Sequence, residues 1–307
     1  MKYANTFIFF SLIATCAPLQ AQMGPPMRPG EQKTTFESLF IHQGTAGLDG
    51  GGEVEINRFN LEIGSTWSLQ GGHALGVDLN AGRTEYDFSG LGGGTSFAGG
   101  SAPWEQVERY GIDLSYRRIL DREQSFFLMP TIEFSRAEGA DWGDSLRWGA
   151  IAGYMRQFSP DLALGIGGAV FTGLEDTTGF PVLFINWEFA ENWRLSNPFR
   201  PGPSGPAGLE VVYDGLDRWE FGFGGGWRNQ RFLLDDQGLA PEGYGENEGV
   251  AAFLRATYSL NPSASFDFYA GSLLNGELSL EDAAGNRLAE TDYDSTLVGA
   301  VALTLEF

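Results

Sequence analysis

Leu297-Val-Gly-Ala-Val-Ala-Leu-Thr-Leu-Glu-Phe307 alternates large apolar side chains with smaller or polar ones. Counting back by twos from the last residue, one face carries the apolar set Phe307, Leu305, Leu303 and Val301. A period of two with one apolar face predicts a β-strand, because successive side chains of a strand point to opposite faces. The segment is therefore predicted to be a strand with one strongly apolar face.

An alternating apolar strand that ends on an aromatic residue resembles the C-terminal strand of bacterial outer-membrane barrels. In those proteins the terminal aromatic residue and its apolar partners close the barrel and are recognised by the assembly machinery. The resemblance implies a barrel-closure and assembly signal at Phe307, Leu305, Leu303 and Val301, with the barrel assembly machinery as a partner. By itself, the pattern leaves open a buried strand of a soluble β-protein.

The N-terminus predicts secretion. Lys2 precedes an apolar stretch at residues 7–14, and Ala21 completes a small-residue cleavage motif, as in a secretory signal peptide. We predict a signal peptide at residues 1–21, a flexible Pro-containing tail at 22–34 and a single barrel domain at 35–307. A lipoprotein signal at Cys16 is the alternative. Cleavage after Ala21 would leave no cysteine, and so neither a disulfide nor a thiol nucleophile.

Charge and composition exclude some partners and favour a fold class. The chain has 40 acidic and 19 basic residues, a net charge of −21, whereas binding of nucleic acid needs a basic surface. We therefore predict no nucleic-acid partner. The 44 glycines and 14% aromatic residues favour many turns and interfacial rings. After the predicted signal peptide no apolar run is long enough for a spanning helix, so any membrane span must consist of strands.

Connection lengths alternate along the chain. Short connections are expected at residues 70–72, 119–124, 159–161, 190–192, 215–217 and 261–264. Long ones are expected at residues 43–52, 89–103, 137–143, 173–179, 198–207, 235–248 and 281–294. Short periplasmic turns that alternate with long extracellular loops are typical of outer-membrane barrels. We predict an all-β fold, a transmembrane antiparallel up-and-down β-barrel of about 14 strands, with roughly 12 to 14 as the range.

The predicted strands assign faces to their charged residues. A mid-plane Arg that faces lipid costs ~2–4 kcal/mol, so charges on the strands should face the interior. We predict interior charges at Arg147, Arg255, Glu133 and Glu220. In the second strand, the apolar residues after Arg58 are out of phase with Val54 and Ile56, which predicts a bulge near Arg58.

Aromatic residues gather in two predicted bands, one near the short turns and one near the long loops. The band near the loops includes Tyr86, Trp104, Phe171 and Phe232. Rings at both ends of the strands are typical of a membrane barrel, which has two interfaces, rather than of a soluble sandwich.

The central part of the chain carries a set of motifs. They are Phe180-Pro-Val-Leu-Phe-Ile-Asn-Trp187-Glu-Phe189, Trp193-Arg-Leu195, Gly205-Pro-Ala-Gly-Leu-Glu210, Trp219 and Phe232-Leu-Leu-Asp-Asp236. The set resembles a bacterial family of outer-membrane β-barrels that is catalogued only as a domain of unknown function. The resemblance extends over nearly all of the predicted mature chain. It implies the barrel fold and brings no activity with it.

No catalytic, cofactor-binding or metal site is predicted, and we expect the chain not to be an enzyme. His42 and His73 fall at opposite ends of the predicted barrel, so they cannot share a metal ion or a Ser-His-Asp site. Outer-membrane lipases use a Ser-His-Asn set in the outer leaflet. His42, near Ser38 and Gln43, therefore leaves a lipid-facing hydrolase as an alternative.

The predicted long loops are acidic. The acidic outer rim comprises Asp235, Asp236, Glu242, Glu246, Glu248, Glu281, Asp282, Asp292 and Asp294. Such a field enriches cations at the mouth and repels anions. Clustered carboxylates also bind Ca²⁺ or Mg²⁺ weakly. A solvated surface without a specific ligand is the favoured interpretation, and weak binding of divalent cations is the alternative.

These features predict a protein of the outer membrane, in contact with its lipid, that passes small solutes passively and favours cations. Inward Gly222 and Gly224 would leave room for a solute, and residues 198–208 are a candidate constriction. A structural or surface-binding barrel with a plugged lumen is one alternative. A transporter of hydrophobic solutes is another, and it needs an apolar pocket, for which inward Phe127, Met129 and Phe253 are few.

Overall fold

The computed structural model describes residues 27–92, 97, 101–174, 177–197, 202–204 and 208–307. The predicted signal peptide and part of the predicted tail lie outside the described residues. The strands are β1 Gln32–Gly47, β2 Glu53–Ser68, β3 His73–Ser89, β4 Gln106–Ile119, β5 Gln124–Ala137, β6 Leu146–Ser159, β7 Leu162–Thr172, β8 Thr178–Ala190, β9 Trp193–Ser196, β10 Gly208–Leu216, β11 Trp219–Leu233, β12 Tyr244–Asn261, β13 Ala264–Glu281, β14 Arg287–Tyr293 and β15 Thr296–Glu306. In this part of the chain no helix is long and apolar enough to cross a membrane.

The strands form one closed antiparallel wall. From β1 to β13 each strand pairs with the next, and β15 pairs with both β13 and β1. The short β14 pairs with residues 276–281 of β13, and β15 pairs with residues 264–273 of the same strand. β14 and β15 therefore occupy one position in the wall. The predicted 14-stranded antiparallel barrel is confirmed.

The two ends of the barrel differ in their connections. At the turn end, strands are joined by residues 69–72, 120–123, 160–161, 191–192, 217–218 and 262–263. At the loop end, the connections are residues 48–52, 90–105, 138–145, 173–177, 197–207, 234–243 and 282–286. The predicted alternation is present, but the first and sixth long loops are shorter than predicted, and so is the seventh, in which residues 287–293 form β14. The cause is continued pairing: Ala46 pairs with Val54, and Glu246 pairs with Arg231.

Side chains alternate between the two faces of the wall. On β12, for example, Leu254 is 61% exposed whereas the adjacent Phe253 is 3% exposed. The outward face is apolar on strands all round the barrel, as shown by exposed Leu79, Ile112, Ile132, Ile166, Leu183, Phe223 and Val301. An apolar outer band on a closed barrel is suited to hydrocarbon.

The predicted bulge near Arg58 is wrong. Pairing of β2 with β3 runs unbroken, and the irregularity lies instead on β1 between Gln43 and Ala46. Val54, Ile56 and Arg58 all face the interior. The apolar residues of β2 change phase along the strand without a bulge, because the inward face of β2 changes from polar to apolar toward the loop end.

Of the two predicted aromatic bands, the one at the turn end lies on the outside. Its rings pack against one another there, with centroid distances of 5.0 Å for Trp193 and Tyr213 and 4.8 Å for Trp219 and Tyr258. At the loop end the prediction was wrong for Tyr86, Trp104, Phe171 and Phe232, which are buried in the interior, and for Phe88 and Phe180, which pack against the interior clusters.

The terminal strand closes the barrel on β1. The backbone N–H of Phe307 donates to the carbonyl of Thr34 at 2.8 Å, and the N–H of Thr34 donates to the carbonyl of Phe307 at 3.1 Å. Further along, Leu305 pairs with Phe36 and Val301 with Phe40. The ring of Phe307 is 77% exposed on the outward side.

We expect deletion of Phe307 to lower the yield of assembled barrel, because it removes the last pair of hydrogen bonds between β15 and β1. The intensity of the band of folded barrel on an SDS gel of an unheated sample measures this yield, because heating shifts that band. Phe307→Tyr keeps the ring and the backbone pair and is the matched control. A deletion variant that assembles as well as this control would contradict the role of the terminal residue.

Candidate functional site

The interior near the turn end is polar and is organised around Arg255 on β12. Its guanidinium lies 2.7 Å from Glu210, 2.7 Å from Glu220 and 3.5 Å from Asp267. A buried charge is tolerated only when it is paired and hydrogen-bonded. Carboxylates from β10, β11 and β13 therefore share one cation. The inward Gly222 leaves room for this cluster rather than for a solute, because a Cβ there would collide with the Glu210 carboxylate.

A second set of charges lies on the interior face of β4, β5 and β6. Arg109 is 3.5 Å from Glu133, and Glu133 is the register partner of Arg147. The Arg147 guanidinium also lies over the ring of Phe171, 4.8 Å from its centroid. The structure thus places all four predicted interior charges inside the barrel, in two separate pairs, Arg255 with Glu220 and Arg147 with Glu133.

A cavity opens at the turn end. Its volume is about 560 Å³, and residues near the start of β13 and the end of β15 line it, among them Ser263, Thr304 and Glu306. Its lining is mixed and includes charged groups, so this end of the interior is accessible to water.

Toward the loop end the interior becomes apolar. The buried side chains of this apolar lining come mainly from β1, β2, β12, β13 and β15: Leu39, Ile41, Val54, Ile56, Ala251, Phe253, Leu273, Leu278, Val298, Ala300 and Ala302. These residues occupy inward positions on neighbouring strands and form an apolar surface that the buried polar side chains of Gln43, Arg58 and Asn247 interrupt. An ion that crosses such a surface loses its hydration without a replacement ligand.

Aromatic rings complete the apolar lining near the mouth. Trp104 lies 5.1 Å from Phe232 and 5.8 Å from Tyr86 between centroids, in edge-to-face geometry in both cases. The hydroxyl of Tyr86 accepts a hydrogen bond from the Asn247 amide at 3.2 Å, and the Tyr293 hydroxyl donates to the same amide at 3.0 Å. The rings are thereby held in fixed orientations across the barrel.

The loop end of β11 turns into the mouth while it stays paired with β12. From Arg228 to Leu233, a range that we call the crossing segment, every residue is buried, whereas a wall strand buries only one face. Leu233 pairs in parallel with Arg136 on β5, which lies six positions away in the barrel order. Leu233 also packs with Ala140 and Leu174 from the connections after β5 and β7. The crossing segment therefore narrows the mouth from within.

Polar contacts hold the crossing segment in place. Arg58 donates to the Gln230 amide oxygen at 2.7 Å. Arg231 donates to Glu281 at 2.6 Å and to the carbonyl of Leu174 at 3.2 Å. These bonds connect β11 to β2, to β13 and to the connection after β7.

A second apolar surface lines the inner face of β5 to β8. This side patch consists of Phe127, Met129, Ile151, Ala169, Phe171 and Phe184, with the half-buried Met155, Phe180 and Val182 against it. Phe127 and Phe184 meet edge to face at 5.0 Å between centroids. Two of the three inward apolar residues noted from the sequence, Phe127 and Met129, belong to this patch, and Phe253 belongs to the apolar lining.

The structure places the residues of the predicted acidic outer rim in two different environments. Asp236, Glu242, Asp292 and Asp294 are exposed at the loop end, and Asp235 is half-buried. In the turn at residues 282–286, hydrogen bonds from the side chain and backbone of Asn286 lower the pKa of Asp282.

The remaining members of the predicted rim are not in loops. Glu246 and Glu248 lie on β12, and Glu281 ends β13. Arg231 binds both Glu246 and Glu281, and the Asn229 amide donates to Glu246 and Glu248. Placing these three in exposed loops was wrong, because β11, β12 and β13 extend and pair beyond the predicted strand ends, and Asp292 also lies on a strand, β14.

The histidines make no shared site. His42 lies on the outward face of β1, with its Nδ1 2.9 Å from the Asn57 side-chain oxygen, and Ser38 is four residues away along the same strand. His73 contacts the Tyr116 hydroxyl at the turn end. Among the described residues, no group of three or more His, Cys, Asp or Glu side chains is arranged to hold a metal ion. Weak binding of divalent cations by the loops stays a prediction.

Fold and interior together define a transmembrane antiparallel β-barrel whose interior is polar at the turn end and apolar at the loop end. No family model matches the chain, and no curated protein matches it. The resemblance to an uncharacterised barrel family therefore stays a prediction.

Several solved barrels are similar to this one. An outer-membrane channel from Pseudomonas putida F1 has a TM-score of 0.47 and 9% identity, covering 92% of this chain and 97% of that one. The Pseudomonas putida toluene transporter TodX has a TM-score of 0.46 and 10% identity, with coverages of 94% and 91%. The KdgM porin has a TM-score of 0.35 and 10% identity, with coverages of 88% and 99%. Similarity at this level says nothing about the solute.

Sequence reasoning missed most of the apolar interior. Val54 and Ile56 were visible in the sequence, but they were explained by a bulge that the structure lacks. The signal that could have revealed them is the unbroken period of two through Arg58, which puts all three residues on one face. The crossing segment has no comparable signal, because its inward path depends on partners that are distant in sequence, such as Arg58 and Leu174.

Replacing Arg255 by Met would leave Glu210, Glu220 and Asp267 without their shared cation. Removal of one partner from a buried ion pair costs about 3–5 kcal/mol. We expect the free energy of unfolding, measured by urea titration of the lipid-inserted barrel, to fall by that amount. Arg255→Lys keeps the charge and should lose less. An unchanged urea midpoint for the Met variant would show that the cluster does not stabilise the barrel.

The crossing segment predicts a specific cross-link. The double variant Arg136→Cys, Leu233→Cys should form a disulfide on mild oxidation, because paired strand positions bring the Cα atoms within the range of about 4.4–6.8 Å that a disulfide needs. Mass spectrometry of the non-reduced protein detects the linked peptides. Leu233→Cys combined with Ser65→Cys, at the turn end, is the control and should not link. Equal linkage in both pairs would contradict the crossing.

Proposed function

We propose that the chain is an outer-membrane channel for small solutes and that the solutes it favours are apolar. The apolar lining near the loop end carries the proposal, because it is the part of the interior that a solute must pass. We place the loop end of the barrel on the extracellular side of the outer membrane and the turn end on the periplasmic side. Export through the predicted signal peptide, insertion by the barrel assembly machinery and an annulus of outer-membrane lipid are parts of the same proposal.

An ion and an apolar molecule interact differently with this part of the interior. Removal of apolar area from water gains roughly 25 cal/mol per Å², so a small hydrocarbon that leaves water for this part of the interior is stabilised, whereas Ile41, Val54 and Leu273 are already buried and gain nothing further. An ion gains nothing from these side chains and loses hydration. The polar turn end, with its cavity of about 560 Å³, then gives the solute an exit into water.

Uptake by cells tests this function. Cells that carry the barrel in their outer membrane should accumulate an apolar, environment-sensitive fluorophore faster than cells without it. Ile41→Asn places an amide in the apolar lining and should lower this rate about fivefold, the size expected from burying a polar group. Phe40→Leu, the adjacent outward residue, is the matched control and should leave the rate unchanged. Equal uptake with and without the barrel would reject the proposal.

A second candidate is a water-filled pore that favours cations, and the exposed carboxylates of Asp236, Glu242, Asp292 and Asp294 favour it. It predicts a reversal potential of cation-selective sign in a salt gradient across a planar bilayer. The double variant Asp236→Asn, Glu242→Asn should then reduce that potential, because less negative charge lies at the mouth. Clear ionic conductance without uptake of the apolar fluorophore would favour this candidate over the first.

A further inference from the structure

Two buried arginines near the loop end have neutral hydrogen-bond partners. Arg58 comes from β2 and Arg228 from the crossing segment, and the two residues are 8% and 3% exposed. Arg58 donates to the Thr84 hydroxyl at 3.3 Å and to the Gln230 amide oxygen at 2.7 Å. Arg228 donates to the Gln43 amide oxygen at 3.2 Å. Within the described part of the chain, neither guanidinium forms an ion pair with a carboxylate.

The electrostatic surroundings of this pair are positive. The charged side chains that act most strongly on Arg58 are Arg228 and Arg109, which are also cations. Arg109 has a carboxylate partner, because it lies 3.5 Å from Glu133. A buried charge is costly unless it is paired, and neutral amides do not offset it. The uncompensated charge of Arg58 and Arg228 therefore favours an anion in this part of the interior.

Arg228 also has a hydrogen-bond donor to offer. Its Nε–H is buried and finds no acceptor among the described residues, whereas its Nη2 is engaged by Gln43. Leaving a buried donor of this kind unsatisfied is costly. A guanidinium presents its N–H groups as a planar fork that can bind both oxygens of one carboxylate. Arg228 is therefore suited to bind the carboxylate of a ligand.

The side chains around the two guanidiniums are apolar or aromatic. Ile41 is the register partner of Arg58, and Ile56 lies two residues before it on the same face of β2. The buried phenols of Tyr86 and Tyr293 are electrostatic neighbours of both guanidiniums. A ligand at this place meets positive charge at one end and apolar surface around the rest. An apolar molecule with a single carboxylate matches both, whereas a small inorganic anion gains nothing from the apolar side chains.

We propose that Arg58 and Arg228 form a site for the carboxylate of a small apolar monocarboxylate, such as an aromatic acid. This inference rests on the proposed function and adds a charged head group to the solute. The exposed acidic residues at the mouth repel anions, but salt screens exposed charges beyond about 8 Å and screens buried charges much less. Selection of the carboxylate therefore takes place at the two arginines.

Binding of benzoate to the full barrel tests the site, with benzamide as a neutral analogue of similar shape. Equilibrium dialysis of each radiolabelled compound at pH 7 against the barrel in detergent micelles, with binding to empty micelles subtracted, measures the two affinities. We expect Arg228→Met to weaken benzoate binding at least about tenfold, because charge-assisted hydrogen bonds are lost, and to leave benzamide binding unchanged. Arg156→Met, near the turn end of β6, removes an exposed arginine and is the matched control; it should change neither affinity.

Two further variants separate a loss of charge from a rearranged crossing segment. Arg228→Met combined with Arg136→Cys and Leu233→Cys should still form the disulfide described above, which shows that the segment keeps its path. Arg228→Lys keeps the charge without the planar fork and should bind benzoate with an intermediate affinity. Equal benzoate binding by Arg228→Met and the unaltered barrel would overturn the site. Displacement of benzoate by an equal concentration of chloride would also overturn it, because the site would then select no carboxylate.

Failure of this site and failure of the proposed function give different results. If benzamide binds, benzoate does not, and cells still accumulate the apolar fluorophore, the channel for apolar solutes stands and the carboxylate site is rejected. If benzoate binding depends on Arg228 but the barrel gives no cellular uptake, the site stands and passage through the barrel is rejected.

Discussion

Pairing of backbone groups is the constraint on which the rest of the structure depends. In hydrocarbon an unpaired N–H or C=O costs several kcal/mol, so a sheet that spans lipid must close on itself. Here closure is completed by β15, which pairs with β13 on one side and with β1 on the other. The same constraint makes the edge of β8 informative. Where the pairing of β8 with β9 stops, the Asn197 side chain bonds the backbone of Ile185 and Leu183 in place of a neighbouring strand.

Closure leaves two surfaces with different requirements. The outside must be apolar at every strand, whereas the inside varies along the axis. Near the turn end the interior carries charged residues, and among them Arg255 is matched by three carboxylates. Near the loop end the interior combines apolar and aromatic side chains with buried polar ones such as Arg58, Arg228 and Asn247, and the crossing segment divides it. The barrel is thus a polar vestibule joined to an apolar compartment, rather than a uniform aqueous tube.

The sequence predicted the parts of the fold that depend on local periodicity. Strand identity, strand number, the tight turns and the terminal closing strand follow from the period of two and the spacing of turn residues, and these predictions are confirmed. For residues near the mouth, the sequence did not predict which face of the wall each side chain occupies. Tyr86, Trp104 and Phe232 looked like interfacial rings because an aromatic residue at a strand end is consistent with either face. The path of β11 could not be predicted, since tertiary contacts set it and no local pattern does.

The division of the interior also explains why the acidic residues of the predicted loops were not enough to predict the character of the mouth. Glu246, Glu248 and Glu281 looked like part of a charged rim, but Arg231 and Asn229 engage them. These carboxylates hold the crossing segment in place. Fewer acidic residues therefore contribute negative charge at the mouth. Counting charges in predicted loops therefore overstated the field that a solute meets and overlooked the apolar surface behind it.

The most direct test of this account is diffraction from crystals of the barrel soaked with a bromine-bearing aromatic solute. The anomalous signal of bromine locates the solute without assumptions about its path. The account predicts bromine peaks inside the barrel at the loop end, against the apolar lining or the side patch. An interior filled by a continuous column of ordered water, with bromine only on the outer surface, would contradict it.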